Sequence, residues 1–167
     1  MLALWPGVAV AADAIVVIAN AELTGLEEAT LPVLRQLFLG RRSQLADHRI
    51  RCFEPAPGTP LRRAFARLVL ELSDRDLERY WLEQALSGGP PPPREIADDA
   101  DLVRHVSQRR GAIAYLGWES FQRLPQAGVK LIRLRDGDRS LAPGDPDYPL
   151  QFAPPQAVDP DDRNDGG

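Results

Sequence analysis

Pro57-Gly58-Thr59-Pro60-Leu61-Arg62-Arg63-Ala64-Phe65 marks a turn, a helix start and two adjacent arginines within nine residues. Thr59 suits the N-cap, because its hydroxyl can accept a hydrogen bond from an otherwise unpaired backbone N–H. Pro60 fits the first helical position, where no N–H is needed. Leu61, Ala64, Phe65, Leu68 and Leu72 then fall on one face, which predicts an amphipathic helix from Leu61 to Leu72. The free N–H groups and dipole of a helix start favour an anion. Arg62 and Arg63 would add forked donors suited to phosphate or carboxylate. Two readings stay open on these residues: a small-oxyanion subsite, or a capped surface helix with solvated arginines.

Working outward, the chain alternates strands and helices. Ile15 to Ala19 is a continuous apolar run, read as a buried strand. Leu31 to Leu39 reads as a helix, with Thr30 as cap, Pro32 in the first turn and Gly40 as stop. Ile50 to Phe53 is a short strand. Ser73-Asp74-Arg75-Asp76 opens a helix that runs to Leu86 and ends at Ser87-Gly88-Gly89. Pro90 to Pro93 is a rigid extended spacer. Asp98 or Asp99 caps a helix through Gln108, with Leu102, Val103 and Val106 inward and Gly111 closing it. Ala112 to Leu116 and Val129 to Leu134 are strands. This order predicts an α/β domain with a mixed sheet and helices packed on it, over residues 13–135. After residue 136, Pro, Gly and Asp dominate, and Asp159 to Gly167 reads as disordered. The stretch between either packs back along the sheet or trails free.

Four of these stretches, in order, resemble the phosphate-binding proteins of bacterial ABC importers. Ile15-Val16-Val17-Ile18-Ala19-Asn20 is similar to the family's strand ending in Asn. Leu34 to Arg42, LRQLFLGRR, resembles its L-x-x-I-F-x-G-K/R helix end. Pro57 to Phe65 stands where the family has a Ser-Gly-Thr helix start, and Gly111-Ala112-Ile113-Ala114-Tyr115-Leu116 resembles its G-A-I-G-Y strand. The resemblance spans roughly residues 13–150 and implies one lobe of a periplasmic-binding-protein-like fold. It also implies an exported, non-catalytic binding protein for a small oxyanion, phosphate first, with no cofactor. Gly58 and Thr59 carry over residue for residue. Arg62 and Arg63 join them as candidate ligand-binding residues by proximity, and Asn20 as a strand end that would approach the same cleft. Pro57 replaces the family's Ser and Pro60 its Arg. Those departures support an alternative, a periplasmic protein-interaction module that kept the fold and lost the ligand.

Composition narrows the remaining classes. A formal net charge of −4 and the lack of a basic run argue against nucleic acid. Leu2 to Val10 is a short apolar run followed by small residues, with Ala9-Val10-Ala11 as a cleavage candidate. Residues 1–12 are therefore expected to be a signal-peptide remnant and the mature protein periplasmic. That run is too short to span a bilayer. Cys52, the single cysteine, makes no internal disulfide and reads as a small buried apolar residue. His48 and His105 have no ligand-spaced partners for a metal, and no serine lies in a G-x-S-x-G turn. Asp98, Asp99 and Asp101 form a carboxylate cluster that a helix N-terminus explains. Tyr80 and Trp81 read as core packing, and Trp118 as a half-buried loop aromatic.

Overall fold

The computed structural model describes residues 13–153. In chain order it contains β1 (Asp13–Asn20), β2 (Glu28–Ala29), α1 (Leu31–Phe38), β3 (Gln44–Leu45), β4 (His48–Arg49), β5 (Arg51–Glu54) and α2 (Pro60–Phe65). There follow α3 (Asp74–Ser87), β6 (Arg94–Glu95), α4 (Asp99–Ser107), β7 (Ala112–Gly117), α5 (Trp118–Arg123), β8 (Val129–Asp136), β9 (Arg139–Leu141) and β10 (Gln151–Phe152).

The apolar run of β1 lies near the middle of the main sheet, whose order is β2-β8-β1-β7-β5-β6. β1 is antiparallel to β7 and β8, whereas β5 is parallel to β7 and β6 to β5, so the sheet is mixed as expected. Ile15, Val16, Val17, Ile18 and Ala19 are all 0% exposed, because helices cover both faces of the strand. Ile15, Val17 and Ala19 join Leu34, Phe38, Phe65 and Val69 of α1 and the α2 region on one face. Val16 and Ile18 join Leu102 and Val106 of α4 and Phe121 of α5 on the other. Strict alternation places successive side chains on opposite faces, so one apolar strand feeds two cores.

The caps are those the sequence predicts. Thr30 accepts from Val33 N–H at 3.4 Å, Ser73 from Asp76 N–H at 3.1 Å and Asp98 from Asp101 N–H at 2.9 Å. Each satisfies one donor left over at a helix start. Tyr80 and Trp81 pack against the larger core, and Tyr80 donates its hydroxyl hydrogen to Leu39 O at 2.7 Å. Cys52 is half-buried against the same core, with Sγ 3.3 Å from Leu37 O, and burial pushes its thiol pKa well up, so the apolar reading holds.

Two stretches differ from expectation, and a third takes one of the two courses left open. The helix predicted from Leu61 to Leu72 is α-helical only over α2. It continues as a wide π turn, Ala66–Leu70, and ends at Glu71 with φ 58°. Arg35 holds that ending from α1, donating Nε–H to Val69 O at 2.8 Å and pairing with the Glu71 carboxylate at 2.6 Å. Trp118 opens α5 rather than lying in a loop. Its N-cap is Gly117, which has no side chain to announce a helix. The chain beyond residue 136 packs back on the sheet: β9 pairs with β8, β10 pairs with β1, and Leu141, Tyr148 and Leu150 enter the larger core. The expected signal-peptide remnant and the expected disordered end lie outside the described residues.

Candidate functional site

The candidate site grows from the end of β5. Glu54 is the strand's last residue, and Gly58 (φ +78°) turns the chain into α2 through a left-handed conformation that glycine tolerates. Thr59 caps α2 as expected, accepting from Arg62 N–H at 3.3 Å while donating its own hydrogen to Ala56 O at 3.2 Å. Its hydroxyl is thus occupied on both sides. Arg62, one turn in, points back over the strand ends instead of into solvent. Its guanidinium lies 2.7 Å from the Glu54 carboxylate and 2.8 Å from that of Glu95 on β6, with only 15% of its side chain exposed. Arg63 is more open and donates to Gly58 O at 3.0 Å.

Glu54 is the unusual member. Its side chain is 5% exposed, and beneath it Phe38, Phe65 and Tyr115 form an aromatic stack in which the Phe65 and Tyr115 rings are parallel at 3.7 Å. Tyr115 Oη lies 3.4 Å from Glu54 Oε2. The Arg62 contact to Oε1 is an ion pair without hydrogen-bond alignment, so that oxygen accepts no hydrogen bond among the described residues. Burial in apolar surroundings therefore dominates over the Arg62 charge, and the Glu54 carboxyl is pushed up to about 7. Burial works to lower the Arg62 pKa, but the hydrogen bond to Glu95 and the charge of Glu54 outweigh it and leave the pKa raised.

Beside this cluster, a shallow cleft of about 530 Å³ separates the starts of α2 and α4 from the side of α5. Thr59, Asp98, Asp99 and Ser120 are among its lining residues, and no arginine or lysine is. Such clefts beyond the carboxyl ends of strands, between helix starts, are where open α/β sheets place ligands. Here the local charge is negative.

The structure brings Gly58, Thr59, Arg62 and Arg63 together and leaves Asn20 out. Register places Ile15 opposite Gly117 and Ala19 opposite Ile113, while Phe53 lies beside Ala114. Asn20 therefore sits at the other end of the sheet from Thr59. It is 4% exposed, donates both amide hydrogens at 2.9 Å to Val106 O and Ser107 O, and accepts from Glu22 N–H at 3.0 Å. It ties the end of α4 to β1. Sequence reasoning passed over Glu54 and Glu95; the available signal was only a carboxylate closing the short RCFE strand ahead of the arginine pair.

No protein-family model and no curated protein matches the chain. Solved structures do match. PstS from Borrelia burgdorferi superposes with a TM-score of 0.65 at 11% identity, over 85% of this chain and 55% of that one. An ABC-type phosphate transport receptor from Vibrio cholerae gives 0.59 at 16% identity, over 77% and 49%. A possible phosphate binding protein from Planctomyces limnophilus gives 0.61 at 18%, over 80% and 46%. The likeness establishes the fold: a mixed α/β sheet of the periplasmic-binding-protein type. The chain spans about half the length of these structures. Among the described residues, no helix is long and apolar enough to cross a membrane, and no cluster of metal-ligating side chains forms.

Proposed function

We propose that this chain is a non-catalytic interaction module: a lobe of the phosphate-binding-protein fold that does not act as a phosphate receptor. The observation that carries the reading is the double pairing of Arg62 with Glu54 and Glu95. An anion at the α2 start would have to displace two carboxylates from the one well-placed guanidinium. It would also face Asp98 and Asp99 across the neighbouring cleft. Carboxylates lining the same cleft repel an anion and oppose its binding. The Thr59 hydroxyl has no free role to offer, and Pro57 and Pro60 supply no N–H. Thr59 and Arg62 are thus spent on holding the fold, which agrees with a capped structural helix.

Isothermal titration of the chain with inorganic phosphate tests this. The expected result is no saturable heat, or a Kd no tighter than about millimolar, which corresponds to about −4 kcal/mol. The double variant Glu54→Gln/Glu95→Gln, which releases Arg62, should bind phosphate more tightly than the parent. Micromolar binding by the parent chain would overturn the reading and restore phosphate capture at Gly58, Thr59, Arg62 and Arg63.

A further inference from the structure

We propose that a cationic groove at the Arg51 end of β5 docks an extended acidic segment of a partner protein. The inference deepens the interaction-module reading and rests on it. Arg42, Arg49, Arg51, Arg94 and Arg109 line one cleft of about 410 Å³. A second, of about 550 Å³, shares Arg49, Arg51 and Arg109 with it and adds His48, Asp47 and Arg110, the last already paired with the Glu22 carboxylate. The shared arginines make the two clefts one continuous groove.

Two sequence features build it. Pro90 to Pro93 precede β6, whose ladder to β5 begins only at Arg94 opposite Phe53. Prolines have no N–H to carry the ladder back to Cys52 and Arg51, so the run forms a wall of the cleft instead of a strand. Gly111 (φ +76°) does the rest. A Cβ there would meet Arg49 O at 2.1 Å, and Gly111 O accepts from Arg51 N–H at 2.9 Å. This close approach sets Arg109, just after α4, beside Arg49 and Arg51.

The five arginines of the first cleft have no carboxylate in ion-pair reach among the described residues. Outside the groove Arg35, Arg62, Arg104 and Arg139 lie 2.6–2.8 Å from carboxylates. Arg41, Arg63, Arg67, Arg75 and Arg133, unpaired among the described residues, do not share one cleft as these five do. Unmatched cations gathered in one groove, on a chain of net charge −4, make a local field that favours an anionic partner. Planar guanidinium forks select carboxylates by paired hydrogen bonds. Arginines spread over both clefts, from Arg42 and Arg94 to Arg110, offer several carboxylate positions at once, which fits an acidic chain better than a single compact ion. Phe38 and Phe53 in its lining are 1% and 4% exposed, so neither phenyl ring is open for base stacking, which leaves His48 as its one partly exposed ring. That favours an acidic peptide over a single-stranded nucleic acid.

The test is fluorescence anisotropy of a labelled poly-glutamate peptide titrated with the full chain. Saturable, salt-sensitive binding is expected. Arg49→Gln/Arg51→Gln/Arg109→Gln should weaken it about tenfold or more. Arg67→Gln/Arg75→Gln/Arg133→Gln, an equal charge change away from the groove, should leave it within about twofold of the parent. Amide chemical shifts of the unmutated chain, independent of any variant's folding, should move on peptide addition at residues 49–52 and 109–111. Absence of saturable binding, equal loss in both triple variants, or shifts elsewhere would overturn the proposal. So would tighter binding of an oligothymidylate of equal charge, which would assign the groove to nucleic acid. Phosphate titration of the same samples separates the two ideas. Phosphate capture at α2 would sink the interaction-module reading, whereas peptide failure without phosphate binding would sink only the groove.

Discussion

Glu54 is the residue whose chemistry has the widest reach. Its carboxyl is pushed up to about 7 in the folded chain, against an ordinary value of 4.5. The folded state therefore holds this proton more tightly than the unfolded state does. The resulting stability is fully present below about pH 4.5 and is lost as pH rises through about 7. The difference amounts to about 3 kcal/mol across that window. Glu54→Gln should remove this slope: urea denaturation at pH 5 and pH 8 should show the parent losing stability relative to the variant as pH rises. A parallel pH profile for the two proteins would show that Arg62 keeps Glu54 ionised throughout. The role of Arg62 was not legible from its neighbours in sequence. The Pro57–Phe65 stretch gave Thr59 its cap correctly, because a cap is settled within three residues. The partners of Arg62 come from β5 and β6, the second of them 33 residues away, and only the sheet brings them together. Asn20 shows the same limit, since its acceptors lie 86 and 87 residues along the chain.

At the scale of elements, what was readable was whatever carries its own signal. Thr30, Ser73 and Asp98 announce α1, α3 and α4, and the apolar runs announce β1, β7 and β8. The two-residue strands carry none: β2, β6 and β10 exist because the longer β8, β5 and β1 offer them partners, and β3 and β4 have only each other. The π turn after α2 was equally hidden, being fastened from outside by Arg35. The junction between α4 and β7 shows what one position can demand. Gly111→Ala would force a side chain into a left-handed conformation and against the Arg49 backbone. It should cost about 1–3 kcal/mol. Thermal denaturation followed by circular dichroism reads this directly, and an unchanged midpoint would mean that the β4–β5 junction yields freely.

The boundary of the fold belongs to the whole molecule. A domain ending at residue 135 omits Leu141, Tyr148 and Leu150, which are 4%, 3% and 0% exposed. It also omits the hydrogen bonds from Ile15 N–H to Leu150 O at 2.7 Å and from Tyr148 Oη to Ile15 O at 2.9 Å. At about 2 kcal/mol for each large apolar side chain, their loss takes a large share of the roughly 5–15 kcal/mol that holds a domain together. A chain stopped after Asp136 should therefore show poor dispersion in its proton–nitrogen spectrum where the longer chain is well dispersed. Good dispersion would restore the earlier boundary. The expectation of a domain ending there came from composition, which sees Pro, Gly and Asp and cannot see that three spaced apolar residues share one destination.

The pairing of β1 with β10 sets Asp13 directly across from Phe152. Entry to and exit from the fold thus share one doorway, about 5 Å wide, as for any two antiparallel neighbours. Pulling the two ends apart would therefore peel β10 from β1 before it reached the core strands. The basic groove lies at the far end of β1, away from the Asp13–Phe152 pair.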